Sequence, residues 1–69
     1  MSYVVYQETW EDANGYRLNI AFTEYEMKKM PYEYRYEKRK VIFEQHGFNY
    51  KNACRIREEE ILVKDPEEV

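Results

Sequence analysis

The sequence predicts a small α+β domain of order ββαβ: a three-stranded antiparallel sheet, strand order 2-1-3, with one helix on one face. Three observations carry this. Two alternating segments rich in Val, Tyr and Ile flank a turn containing Gly15, Thr23-Glu24-Tyr25-Glu26 has the form of a helix start, and another alternating segment follows His46-Gly47. Sixty-nine residues allow a single domain, 1–69. A chain this short buries only about 60% of the surface its unfolded form exposes, so it needs dense packing or a partner.

Tyr3 to Trp10 alternates in the manner of a half-buried strand, and Tyr16 to Thr23 puts Leu18, Ile20 and Phe22 on one face. The turn between them fixes the register. A two-residue Asn14-Gly15 loop would place Leu18 and Phe22 opposite Glu11 and Gln7. A three-residue loop, Ala13-Asn14-Gly15, places them opposite Trp10 and Tyr6, joins apolar to apolar, and puts Gly15 at the positive φ of a G1 bulge. The three-residue loop is therefore predicted. Val4, Tyr6, Trp10, Leu18 and Phe22 form the buried face, with Glu8 opposite Ile20 as its weak point.

Thr23 as N-cap and Glu26 three residues on make a capping box. The helix that follows meets Pro31, which either breaks it or starts a new one at its first turn. From Tyr32 two periods compete. Tyr32, Tyr34 and Tyr36 alternate like a strand, yet Tyr32, Tyr36 and Phe43 also share one helix side, with Tyr34 and Val41 on the other. The Glu, Lys, Arg and Gln content, and Gly47 after His46, favour a helix over 32–46. Asn52 to Lys64 reads as the last strand, its period slipping near Glu58-Glu59-Glu60, where a bulge or a division into two short strands is expected. Residues 65–69 read as a polar tail that frays.

The formal charge of −3 hides a segregation: residues 1–26 carry −4, residues 27–57 carry +6 and residues 58–69 carry −5. Such a pattern bears on partners and association rates more than on fold. Cys54 is the only cysteine and His46 the only histidine, so no disulfide within the chain, no closed zinc site and no other metal or cofactor are expected. No basic segment followed by an apolar run opens the sequence, and apolar runs stop at three residues, such as Ile61-Leu62-Val63. The expectation is a cytoplasmic protein without membrane contact.

Two groups of residues are candidates for binding. Tyr32, Tyr34 and Tyr36 with Arg35, Lys38, Arg39 and Lys40 combine rings that offer apolar area with cations that seek carboxylate or phosphate. The competing reading has the tyrosines packing the helix and the cations forming its solvated face. Glu58, Glu59 and Glu60 form an acidic patch, able to mimic phosphate, to pair with the basic segment or simply to be solvated. His46 is expected to stabilise the helix C-terminus, and Cys54 to be a small buried thiol. No GxGxxG, P-loop, GxSxG or HExxH occurs, and two glycines leave no phosphate cradle, so no catalytic residues are expected.

The chain is similar to phage and mobile-element accessory proteins in being short, acidic, rich in tyrosine and free of motifs, a similarity of composition alone. The reading that follows is a non-enzymatic protein-binding module, of the kind that inhibits or regulates a host nucleic-acid-handling protein. A small nucleic-acid-binding protein using the basic, Tyr-rich segment 28–40 is the alternative. A homodimer is a further expectation, since a three-stranded sheet leaves edges and one face open.

Overall fold

A computed structural model of the chain describes residues 2–64. The expected frayed tail, 65–69, lies outside the described residues. The elements are β1 (Tyr3–Glu11), β2 (Arg17–Thr23), α1 (Glu24–Lys28), α2 (Tyr32–Gln45), a 3-10 turn at Tyr50–Asn52 and β3 (Cys54–Val63). β1 is central and antiparallel to both neighbours, giving the order β2-β1-β3 that the sequence predicts.

The hairpin has the predicted register, with Trp10 opposite Leu18, Tyr6 opposite Phe22 and Glu8 opposite Ile20. Gly15 sits at φ 83°, as the three-residue loop requires. Asp12 holds that loop in place: its buried carboxylate accepts from the Asn14 N–H at 2.9 Å and the Tyr16 N–H at 3.0 Å. This is the local side-chain chemistry that makes Asp a turn former.

Thr23 caps α1 as expected. Its hydroxyl accepts from the Glu26 N–H at 3.1 Å, while the Glu26 carboxylate accepts from the Thr23 N–H at 2.9 Å. Phe22 before the cap and Met27 in the first turn both enter the core, the pairing of a hydrophobic staple. Pro31 separates α1 from α2. At the far end of α2, Phe48 N–H donates to Phe43 C=O at 2.8 Å and Gly47 N–H to Glu44 C=O at 3.2 Å, with Gly47 at φ 63°. These are the two bonds of a Schellman motif, and the stacked Phe43 and Phe48 rings, 5.1 Å apart, supply its apolar contact.

Ile20, Phe22, Phe43 and Phe48 are the buried apolar core, with Tyr6, Trp10, Leu18, Met27, Ile42 and Ala53 packed around it. All of it lies on the helix-covered face of β1 and β2. Along β3 the same face is bare, and Leu62 there is 63% exposed.

Three expectations need correction. The slip in β3 does not fall in the glutamate run. Thr9 pairs with Arg57 and Trp10 with Arg55, so Ile56 is the extra residue, and Glu58, Glu59 and Glu60 continue the regular ladder opposite Glu8, Gln7 and Tyr6. Cys54 is exposed, not buried, because its pairing with Glu11 puts it on the helix-free face of an edge strand. Glu8 is no weak point: it is 3% exposed and has three side-chain donors, described below.

Both free edges carry charge, which opposes edge-to-edge pairing. Lys38 Nζ donates to the Ala21 carbonyl of β2 at 2.9 Å, and the glutamate run occupies β3. No helix among the described residues is long and apolar enough to cross a membrane.

Candidate functional site

The candidate site is a cleft lined by Trp10, Tyr32, Tyr36, Arg39, Lys40, Phe43 and Tyr50, with a volume of about 240 Å³. Helical periodicity builds one wall. Tyr32, Tyr36 and Lys40 recur every fourth residue along α2, and Phe43 continues the same side. The Schellman turn then reverses the chain and brings Tyr50 back against Phe43, the rings nearly parallel with centroids 6.1 Å apart. Trp10 of β1 closes the floor, edge-on to Phe43 at 5.4 Å. Phe43 is buried, whereas Tyr32, Tyr36 and Tyr50 are 62%, 53% and 41% exposed.

Under this cleft lies an ionic cluster built on the buried Glu8 carboxylate. Arg39 Nε and Nη2 donate to the two Glu8 carboxylate oxygens, each at 2.7 Å. Trp10 Nε1–H donates to the same carboxylate at 3.0 Å, and Arg55 Nη1 at 3.2 Å. Burial alone pushes the Glu8 carboxyl up, but the bonds from Arg39, Trp10 and Arg55 hold it below the usual carboxylate range. Arg39 is raised in turn, chiefly by its bond to Glu8. The cluster fixes the Trp10 indole by its nitrogen, and so fixes the floor of the cleft.

The residues singled out from sequence divide between three places. Tyr32, Tyr36, Arg39 and Lys40 meet at the cleft. Tyr34 points the other way, and its hydroxyl donates to Glu26 at 2.7 Å. Arg35 is also turned inward: its Nη1 donates to the carbonyls of Glu26, Met27 and Met30 at 3.1–3.3 Å, closing the C-terminal end of α1. Lys38 adds two 3.0 Å bonds to Glu26 to the one it makes with Ala21. Burial raises the Glu26 carboxyl, but the Thr23 N–H, the Tyr34 hydroxyl and Lys38 together bring it down to about 2. Strand alternation divides the glutamate run: Glu58, opposite Glu8, and Glu60, opposite Tyr6, lie on the helix-covered face. Glu59 is on the helix-free face; Glu60 faces Tyr6 and, as acceptor of the Tyr6 hydroxyl, raises that phenol.

Sequence reasoning reached Trp10 and Phe43 as packing residues and did not place Tyr50 at all. The spacing of Tyr32, Tyr36, Lys40 and Phe43 is readable in the sequence; the chain reversal that returns Tyr50 is not. Among the described residues no three His, Cys, Asp or Glu side chains gather as a metal site. The chain matches no protein-family model, no curated protein and no solved structure.

Proposed function

We propose that the protein is a non-enzymatic protein-binding module that seats a partner segment in the Trp10–Tyr32–Tyr36–Phe43–Tyr50 cleft. One observation carries this reading: the cations of the basic segment and its rings face different tasks. Arg35, Lys38 and Arg39 are bonded to the protein's own carbonyls and carboxylates, while Tyr32 and Tyr36 stand in solvent around an apolar hollow. Exposed Tyr and Trp around a pocket are the usual anchors of protein interfaces. Such a module acts by occupying its partner's surface, the role of an inhibitor or regulator. Tracking a nucleic-acid backbone needs a row of free cations beside the rings, and here three of the four basic residues at 35–40 are already satisfied.

Affinity capture from a native lysate, with and without nuclease, tests the reading when run beside the Tyr32→Ala, Tyr36→Ala double variant. A nuclease-resistant protein band that the double variant loses, while its thermal unfolding is unchanged, is the expected result. A band retained by the variant, or removed by nuclease, contradicts it. A second copy of the chain as the captured protein identifies the partner as itself.

A further inference from the structure

We infer that the cleft takes an acidic segment of the partner, placing one aromatic or long aliphatic side chain between the rings and one carboxylate on Lys40. This rests on the protein-binding reading above and adds the ligand's chemistry to it.

The volume sets the size of the anchor. About 240 Å³ is below the roughly 300–1,000 Å³ of clefts that enclose whole small molecules. It suits a single side chain entering from an adjacent backbone. The lining sets its polarity: five aromatic rings, of which, among the described residues, only Trp10 makes a side-chain hydrogen bond, and that one points down to Glu8. An apolar or aromatic side chain is matched there.

Charge sets the rest. Lys40 is half-buried on the cleft wall and has no hydrogen bond or ion pair among the described residues. Among the described residues it is the one cation lining the cleft that is not bonded to a carboxylate or carbonyl. Arg39 and Arg55 both reach Glu8, so that cluster keeps one positive charge, which Glu58 across the β1–β3 ladder offsets. Counting Arg39, Arg55 and Lys40 against Glu8 and Glu58, the cleft carries +1 on a chain of −3. A local excess of one charge matches a single carboxylate. It does not match a polyanion, whose approach the chain's net negative charge also opposes.

Two small probes share one ring and differ in the sign of their charge: indole-3-propionate and tryptamine. Each is titrated into the ¹⁵N-labelled protein, with chemical shifts as the readout. Indole-3-propionate should move the Trp10 indole N–H and the amides of Tyr36, Lys40 and Phe43, and bind about fivefold more tightly than tryptamine. Lys40→Gln should erase that preference and Lys40→Glu should reverse it, with little change in unfolding, because Lys40 makes no hydrogen bond or ion pair among the described residues. Equal binding of the two probes, or shifts confined to residues outside the cleft, overturns the inference. Displacement of the acid by a single-stranded dT10 oligonucleotide, with affinity falling steeply as salt rises, also overturns it and assigns the cleft to nucleic acid. Failure here alongside a Tyr36-dependent protein capture removes the acidic anchor only. Loss of both removes the protein-binding reading itself.

Discussion

Arg39 grips Glu8 through two parallel 2.7 Å bonds, joining residues 31 positions apart and bolting α2 to the central strand. Both side chains are almost wholly buried, at 13% and 3% exposure. A pair of this kind is weak evidence for stability as a unit, since desolvation consumes most of the attraction, but removing one member strands the other. Glu8→Gln and Arg39→Met should each cost about 3–5 kcal/mol, enough to unfold much of a domain this small. Glu8→Leu combined with Arg39→Met should cost less than the sum of the corresponding single changes. Urea unfolding of the four species forms the cycle that measures it.

The same carboxylates govern the response to acid. Glu8 is held below its ordinary range and Glu26 at about 2, against an ordinary value of 4.5. A carboxyl held low in the fold binds its proton more readily in the unfolded chain, so acid favours unfolding. The contribution of Glu26 is complete above pH 4.5 and disappears as pH falls through about 2. Urea unfolding at a series of pH values should show stability declining across that window. Glu26→Gln should lower the plateau, flatten the decline and meet the unsubstituted protein near pH 2.

Gly15 and Gly47 test the two chain reversals separately. Both have positive φ, and an added Cβ meets no atom within 4 Å beyond its own neighbours in the chain at either position, so the penalty of Ala is backbone strain alone. Gly15→Ala and Gly47→Ala should each cost about 1–2 kcal/mol, with Gly15→Val at least as costly. Asn at either site should recover part of the loss, because it tolerates the left-handed region. Thermal unfolding followed by circular dichroism reads all of these.

Replacing Arg35, Lys38, Arg39 and Lys40 together with Gln should unfold the protein and leave no intact surface to assay. Arg35 satisfies the last carbonyls of α1, Lys38 joins Glu26 to the β2 edge, and Arg39 neutralises Glu8. Lys40→Gln alone should stay within about 0.5 kcal/mol of the unsubstituted protein. Circular dichroism spectra of the two variants decide the matter.

Local rules made the hairpin register, the capping box and the interruption at Pro31 legible in the sequence, because each depends on residues close together in the chain. The order β2-β1-β3, which pairs Tyr3 with Val63, followed instead from the succession of elements and the helical crossover. Trp10 opposite Leu18 follows from loop length and alternation. The helical period along α2 likewise foretold that Tyr32, Tyr36 and Phe43 share a side. What stayed hidden required contacts across the fold. Glu8 reads as an intruder on an apolar strand until Arg39 and Arg55 arrive from 31 and 47 residues away. Arg35, Lys38 and Arg39 read as a free basic surface because nothing local announces carbonyl ends and carboxylates waiting beneath them. The bulge at Ile56 escaped because the glutamate run showed a break in period without showing where the extra residue sits.

The central claim is that a protein segment occupies the cleft bordered by Tyr36. Site-specific photo-crosslinking reports it most directly, with p-benzoylphenylalanine placed at position 36 in one sample and at position 25, where Tyr25 is 65% exposed away from the cleft, in another. Irradiation in a native lysate should give a discrete, nuclease-resistant protein adduct from position 36 and none from position 25. Equal adducts from both positions, or an adduct at position 36 that nuclease digests, would contradict the account.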